Sequence, residues 1–351
     1  MRKTAAKLLA VAALATSVAT IASGTAIADP TVTPAATDIV SVGSDTTQAV
    51  SNQFSTDYNA YLASIGDTTS PRYYSWDATG SATINLRAGV SGFTRPNGSG
   101  AGINALNAVS SPVDVARSSR GPKANPGGDP TTDVFVAFAK DAVSWAAPAT
   151  GYAPANLTTA QLKGIYECTT TDWHALVPSV PAGTTIKPYL PQANSGTRAF
   201  FLTAIGNPIL GGCVTTGPQE NEGTDAAFTD PASLVPYSVA HYIGQVYGGH
   251  SSGSDAPGSL TIRNADGNVP LTATNTLSPA FASTAYGRVV YNVVRQGDWT
   301  ATDAHGAALR AIFGPASGNG WICKNGTNII KNYGFLPLPG TACGSTTQNA
   351  S

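Results

Sequence analysis

The chain has 351 residues, with 19 Lys and Arg against 20 Asp and Glu scattered along it. The absence of a basic stripe argues against nucleic acid as a partner, and no run after the N-terminal one is apolar for long enough to cross a bilayer. The 37 Gly and 24 Pro are interleaved with clear apolar segments, so the length describes a loop-rich folded protein with room for two domains rather than a disordered chain.

Residues 1–28 read as a signal peptide. Arg2, Lys3 and Lys7 give a basic start, an Ala/Leu/Val stretch follows, and Ala26-Ile27-Ala28 supplies the cleavage pattern. The mature protein is then expected to be soluble and secreted, extracellular or periplasmic. No Cys follows the apolar run, so no lipid anchor is expected. Sixteen basic and 20 acidic side chains remain, a net charge of −4.

Ile39-Val40-Ser41-Val42 predicts a strand. Gly43–Thr47 leads into a helix pattern carrying Val50, Phe54, Tyr58 and Tyr61, with Asp45, Thr46 or Thr47 able to cap it. Residues 64–94 read as loops with short strands, and the aromatic insertion Tyr73-Tyr74-Ser75-Trp76 reads as packing rather than a carbohydrate platform. "RPNGSGAGINALNAV" repeats the pattern of a Gly/Ser turn before a helix, and Val113–Ala116 is a short strand running into Arg117–Pro122. "DVFVAFA", 133–139, has the unbroken apolar character of a strand buried on both faces. "NLTTAQLKGIYE" predicts a capped helix, and "TIKPYL" a strand leading to "PQANSGTRAFF" and its helix. Residues 251–277 look like an excursion with a hairpin. "YGRVVYNVV" is another buried strand, "AHGAALRAIFG" a late helix, and "NYGFLPLPG" closes the core. Strands alternating with helices predict an α/β protein with mostly parallel sheets.

Four cysteines in an exported chain imply two disulfides, and nearest-neighbour pairing gives Cys168–Cys213 and Cys323–Cys343. The C-x₂-C spacing is missing and only four His exist, so neither a metal nor a cofactor is expected.

A strand, a loop of hydroxyls and Gly, and a helix recur at Gly43–Thr47, Asn97–Gly102 and Asn194–Thr197. Helix N-termini offer unpaired N–H groups and the positive end of the helix dipole, Ser and Thr add donors, and Gly admits close approach. Any one such loop is explained by capping. Three of them, with the Ser/Arg turn at 117–120, point to a convergent oxyanion site. Enzyme readings fare worse: Ser195 lacks the flanks of a nucleophile elbow, the zincin and P-loop motifs are absent, and acids are spread out. No catalysis is expected.

"VGSDTTQ", "NGSGAG", "VDVARSSRGP", "NLTTAQLKGIYECTTTDW", "NSGTRAFF" and "YGFLPLP" together resemble, in order, the motifs of exported phosphate-binding proteins of phosphate ABC importers. The resemblance implies a two-lobed type 2 periplasmic-binding fold with the ligand in an interlobe cleft. Carried over by motif, Thr46 or Thr47, Ser99, Ser195, Gly196 and Thr197 would contact the anion. Two departures stand out. Ser119 occupies the place of an Asp that the family uses to accept a phosphate proton, with Arg117 and Arg120 beside it. Pro191 stands where the family has an Arg, and Arg198 follows Thr197 instead. Arg120 and Arg198 are therefore the candidate replacement cations.

With 133–139 and 289–294 as crossover strands, the expected lobes are 37–140 plus 290–345, and 141–289. The expected function is capture of an oxyanion, phosphate first, by a monomer that an ABC importer's membrane component would unload. The alternative is a secreted protein of the same fold that binds a carbohydrate or a partner protein.

Overall fold

The computed structural model describes residues 29–347; the expected signal peptide, 1–28, lies outside the described residues. The chain forms an α/β protein built on one ten-stranded mixed sheet. Its strands are β1 (Ile39–Gly43), β2 (Tyr73–Ser75), β3 (Val115–Ser118), β4 (Asp133–Pro148), β5 (Lys187–Leu190), β6 (Thr215–Thr216), β7 (Ser233–Ser238), β8 (Leu260–Ile262), β9 (Gly287–Arg295) and β10 (Leu336–Pro337). The order across the sheet is β2-β1-β3-β9-β4-β7-β5-β6, with β8 and β10 also on β4. Both wings are parallel, β2-β1-β3 at one side and β7-β5-β6 at the other. The pairings of β9 and β4 between them are antiparallel.

β4 is the longest element of the sheet. Its sequence DVFVAFAKDAVSWAAP is nearly all apolar because helices and loops cover both faces, leaving no side for polar residues. The strand therefore runs nine residues past the apolar stretch expected from sequence. Its first part pairs with β9 and its second with β7 and β8. Register shifts at Val290/Tyr291 leave Phe138 as the extra residue of a bulge, where it packs edge-on against Phe54 with ring centroids 5.8 Å apart. One large apolar cluster draws its buried residues only from 142–286. Two others draw theirs from 39–139 and 289–335, apart from Ala240. β4 contributes to both sides, with residues of Phe135–Ala139 in the second and third clusters and of Ala142–Ala147 in the first, whereas the clustered residues of β9 lie on one side only.

Five helices matter for the site's placement: α1 (Gln48–Ser64), α2 (Ser99–Leu106), α3 (Thr159–Tyr166), α4 (Gly196–Ala204) and α5 (Val239–Val246). α3 starts with a complete capping box, Thr158 with Gln161. The C-terminal part returns to the N-terminal half: helix Ala304–Phe313 packs with β1 and α1 residues, and β10 pairs with β4. Tyr73 and Trp76 are core residues, and Tyr73 lies edge-on to Phe313 at 5.2 Å. Both disulfides form as neighbour pairing predicts. Cys168–Cys213 joins the end of α3 to the chain after α4, and Cys323–Cys343 closes the C-terminal segment.

Candidate anion-binding site

In open α/β sheets, ligands lie beyond the carboxyl ends of the parallel strands, where the following loops gather. Four such segments meet here: 44–47 after β1, 97–99 before α2, 119–120 after β3 and 191–197 between β5 and α4. Gly98 N–H donates to Gly43 O at 3.0 Å, and Gly100 N–H to Asn194 O at 3.0 Å. Gly98 has φ +95°, and a Cβ there would stand 2.4 Å from Asn194 O. Only glycine meets both conditions. Gly196 is similarly confined, since a Cβ would fall 2.3 Å from the hydroxyls of both Ser99 and Ser119.

At the centre, Thr46 Oγ1 and Thr197 Oγ1 are 3.1 Å apart although 151 residues separate them. Arg288, on β9, donates from Nη2 to Thr197 Oγ1 at 2.9 Å, and Thr46 Oγ1 donates to Glu220 Oε1 at 2.7 Å. Arg288 has no acceptor capacity and Glu220 Oε1 accepts from Thr46, so the proton order is set. The chain runs Arg288 to Thr197 to Thr46 to Glu220, and Thr46 Oγ1 accepts in addition from Asn221 Nδ2 at 3.3 Å. The Thr197 N–H, in the first turn of α4, also reaches Glu220 Oε1 at 3.3 Å. Glu220 is fully buried. Its Oε2 and Arg288 Nη1 are buried and make no hydrogen bond.

Arg288 is anchored by Asp141, its direct cross-strand partner on β4. Nε and Nη2 donate to Asp141 Oδ2 at 3.0 and 2.8 Å, and neither side chain has any exposed surface. Ser238 Oγ and the Ala240 N–H complete the carboxylate's partners, at 2.8 and 2.9 Å. The guanidinium also lies over the Phe200 ring, 5.7 Å from its centroid. Phe200 in turn lines a groove of about 590 Å³ with Arg120, Pro122, Lys123, Thr203 and Ala285.

The segment 219–221 clasps the loops from one side. Asn97 Nδ2 donates to Gln219 Oε1 at 2.8 Å, Glu220 N–H donates to Gln192 Oε1 at 2.9 Å, and Asn221 Nδ2 donates to Asp45 Oδ1 at 2.9 Å. Burial pushes Asp45 well above the ordinary carboxylate range. On the other side of Thr46, His241 bonds the Thr46 carbonyl through Nδ1 at 3.2 Å and Asp255 through Nε2 at 2.7 Å. Burial opposes a charge on His241, but Asp255, Asp45 and the Thr46 carbonyl outweigh it and lift the pKa from 6.5 to about 10. The protonated ring donates from both nitrogens, which suits two acceptors.

Four of the sequence candidates meet in two pairs. Thr46 and Thr197 meet directly. Ser99 and Ser119 form a second pair, with hydroxyls 3.2 Å apart and Ser119 N–H donating to Ser99 Oγ at 3.0 Å. Ser195 Oγ accepts from Arg198 N–H at 2.9 Å, which makes it the N-cap of α4. Thr47 Oγ1 is buried and makes no hydrogen bond, although Thr47 is the N-cap residue of α1. The two candidate replacement cations are engaged elsewhere. Arg120 forks onto Asp129 at 2.6 and 2.8 Å, and Arg198 donates to Pro191 O at 3.0 Å. The guanidinium in the cluster is Arg288, and the carboxylate is Glu220. Neither belongs to the anion motifs of the sequence. A signal existed for Arg288 and Asp141, each a charge set in an apolar strand run; Glu220 sits in "GPQENEG", which reads as an ordinary polar loop.

Residues 30–292 match the family model described as the PBP superfamily domain. No curated protein matches the chain in sequence. Among solved structures, it is similar to an ABC-type phosphate transport receptor from Vibrio cholerae, at 16% identity and TM-score 0.54 over 86% of this chain and 100% of that one. It is also similar to a putative phosphate ABC transporter substrate-binding protein with bound phosphate from Clostridium perfringens, at 15% identity and TM-score 0.56, covering 86% and 99%. At these identities the likeness is one of fold.

Proposed function

The chain belongs to the PBP superfamily, and from that premise we propose that it is an exported solute-binding protein for an oxyanion, with phosphate the leading ligand. The observation that carries the reading is the meeting of Thr46, Thr197 and Arg288 at the N-terminus of α4. There, two hydroxyls, a helix N–H and a guanidinium with an unpaired Nη1 lie in one buried cluster. These are oxyanion donors, and their low-dielectric surroundings strengthen charge-assisted bonds. Ser99, Ser119 and Gly196 form the adjoining wall. The neighbours' printed descriptions, both of phosphate transport proteins, agree with phosphate as first choice.

In this reading, segments 37–140 plus 290–345 and 141–289 act as two lobes. β4 and β9 are the connections about which the cleft opens, in keeping with the separate apolar clusters on either side. The protein works as a binder rather than a catalyst, and as a monomer that hands its anion to an ABC importer's membrane component.

Isothermal titration of the mature protein with phosphate and with sulfate tests the function. Saturable binding of either, weakened at least ten-fold by Thr197→Val, is expected, since a hydrogen bond to a charged group contributes about 1.5–3 kcal/mol. If neither anion binds at millimolar concentration, the oxyanion reading fails.

A further inference from the structure

Glu220 occupies a position that an oxyanion would also suit. Its Oε1 takes the Thr46 hydroxyl and the Thr197 N–H, two of the donors assigned above to a ligand. The two threonine hydroxyls bond each other directly, so no anion-sized space remains between them. The carboxylate is wholly buried, yet its second oxygen is unpaired, as is the Nη1 of Arg288 in the same cluster. A structural carboxylate in a finished core would have both oxygens satisfied, as Asp141 does. The cluster thus holds one donor that this side chain does not use, Arg288 Nη1, and one acceptor that no donor reaches, Glu220 Oε2. The residue also arrives on an irregular segment, 217–225, with no strand or helix to fix it.

Resting on the oxyanion reading above, we propose that Glu220 is the specificity-determining residue of the site, an internal carboxylate that occupies the cradle and competes with incoming anions. A ligand enters only by displacing it. The displaced carboxylate then repels the newcomer, so the ligand must offer more acceptor oxygens and more charge than a single carboxylate. Phosphate and sulfate meet that condition and simple monocarboxylates do not. Glu220 thus holds the loops together in the empty protein and sets the threshold for filling it.

The test is titration of wild type, Glu220→Ala and Glu220→Gln with phosphate at pH 8, alongside thermal melts without ligand. Binding at least ten-fold tighter in Glu220→Ala, with Glu220→Gln between it and wild type, is the expected result. The empty Glu220→Ala protein should also melt at lower temperature and regain stability with phosphate. If Glu220→Ala shows no cooperative melt, Glu220→Gln decides: affinity raised several-fold supports the inference, and unchanged or lower affinity overturns it. Equal or weaker binding by both variants overturns the inference and leaves the proposed function standing. No binding by any of the three overturns both. Binding seen only in the variants supports the inference and overturns the function proposed for the native protein.

Discussion

Replacing Arg288 with Met tests the electrostatic frame of the site. Arg288 and Asp141 face each other across β9 and β4 with no exposed surface on either side chain. Removing the cation leaves the Asp141 carboxylate with two of its four hydrogen bonds, those from Ser238 Oγ and the Ala240 N–H. Breaking a buried pair from one side costs about 3–5 kcal/mol, because the remaining charge is neither hydrated nor compensated. Urea unfolding followed by tryptophan fluorescence measures it. With m on the order of 3 kcal/mol/M, the midpoint should fall by roughly 1–1.7 M. The double variant Arg288→Met/Asp141→Leu should recover most of the loss, since an apolar pair leaves no orphaned charge. By contrast, Lys187→Met, which breaks the exposed pair with Asp230, should leave the midpoint unchanged within error. The reasoning is refuted if Arg288→Met loses less than about 1 kcal/mol, or if the double variant is no more stable than the single.

Three further outcomes are expected. Ser195→Ala removes the α4 cap and should lower stability by about 1 kcal/mol in a thermal or urea melt; an unchanged midpoint would show that the Arg198 N–H finds another acceptor. Gly98→Ala pushes a Cβ into Asn194 O at a positive φ, so it should part the α2 and α4 loops and weaken phosphate binding; wild-type affinity in calorimetry would contradict the close approach. His241 has a folded pKa of about 10 against 6.5 for the free side chain, so its stabilisation is complete below about pH 6.5 and is lost as pH rises through 10. Stability profiles from pH 6 to 10 should therefore fall more steeply for wild type than for His241→Gln, and parallel profiles would show that the His241–Asp255 contact does not titrate as described.

The scaffold was legible because its signals are local. Continuous apolar runs mark β4 and β9, Ser and Thr mark the starts of α3 and α4, and near neighbours in sequence pair as disulfides. Side-chain direction is not local. Arg120 and Arg198 stand beside the anion motifs in sequence, yet their guanidinium groups donate to Asp129 and to Pro191 O. Ser195 presents the same limit: its motif suits an anion, while its Oγ accepts the cap bond of its own helix. Arg288 and Asp141 betray themselves as charges set within apolar strands, but the register that joins them spans 147 residues. Glu220 carries no comparable mark, because its burial comes wholly from segments distant in sequence.

The strand that precedes Glu220 limits how far the residue can travel. β6 pairs with β5 at Tyr189–Thr215 and Leu190–Thr216, and the Cys168–Cys213 bridge lies two residues before it. The chain is thus pinned up to Thr216, and Gly217, at φ +149°, is the first joint that can turn. Glu220 lies three residues beyond that joint, so its backbone stays within about 10 Å of it. A competitor on so short a leash does not dilute. Its local concentration is fixed by covalent geometry, and the handicap it imposes on an entering anion is the same in a dilute medium as in a crowded one.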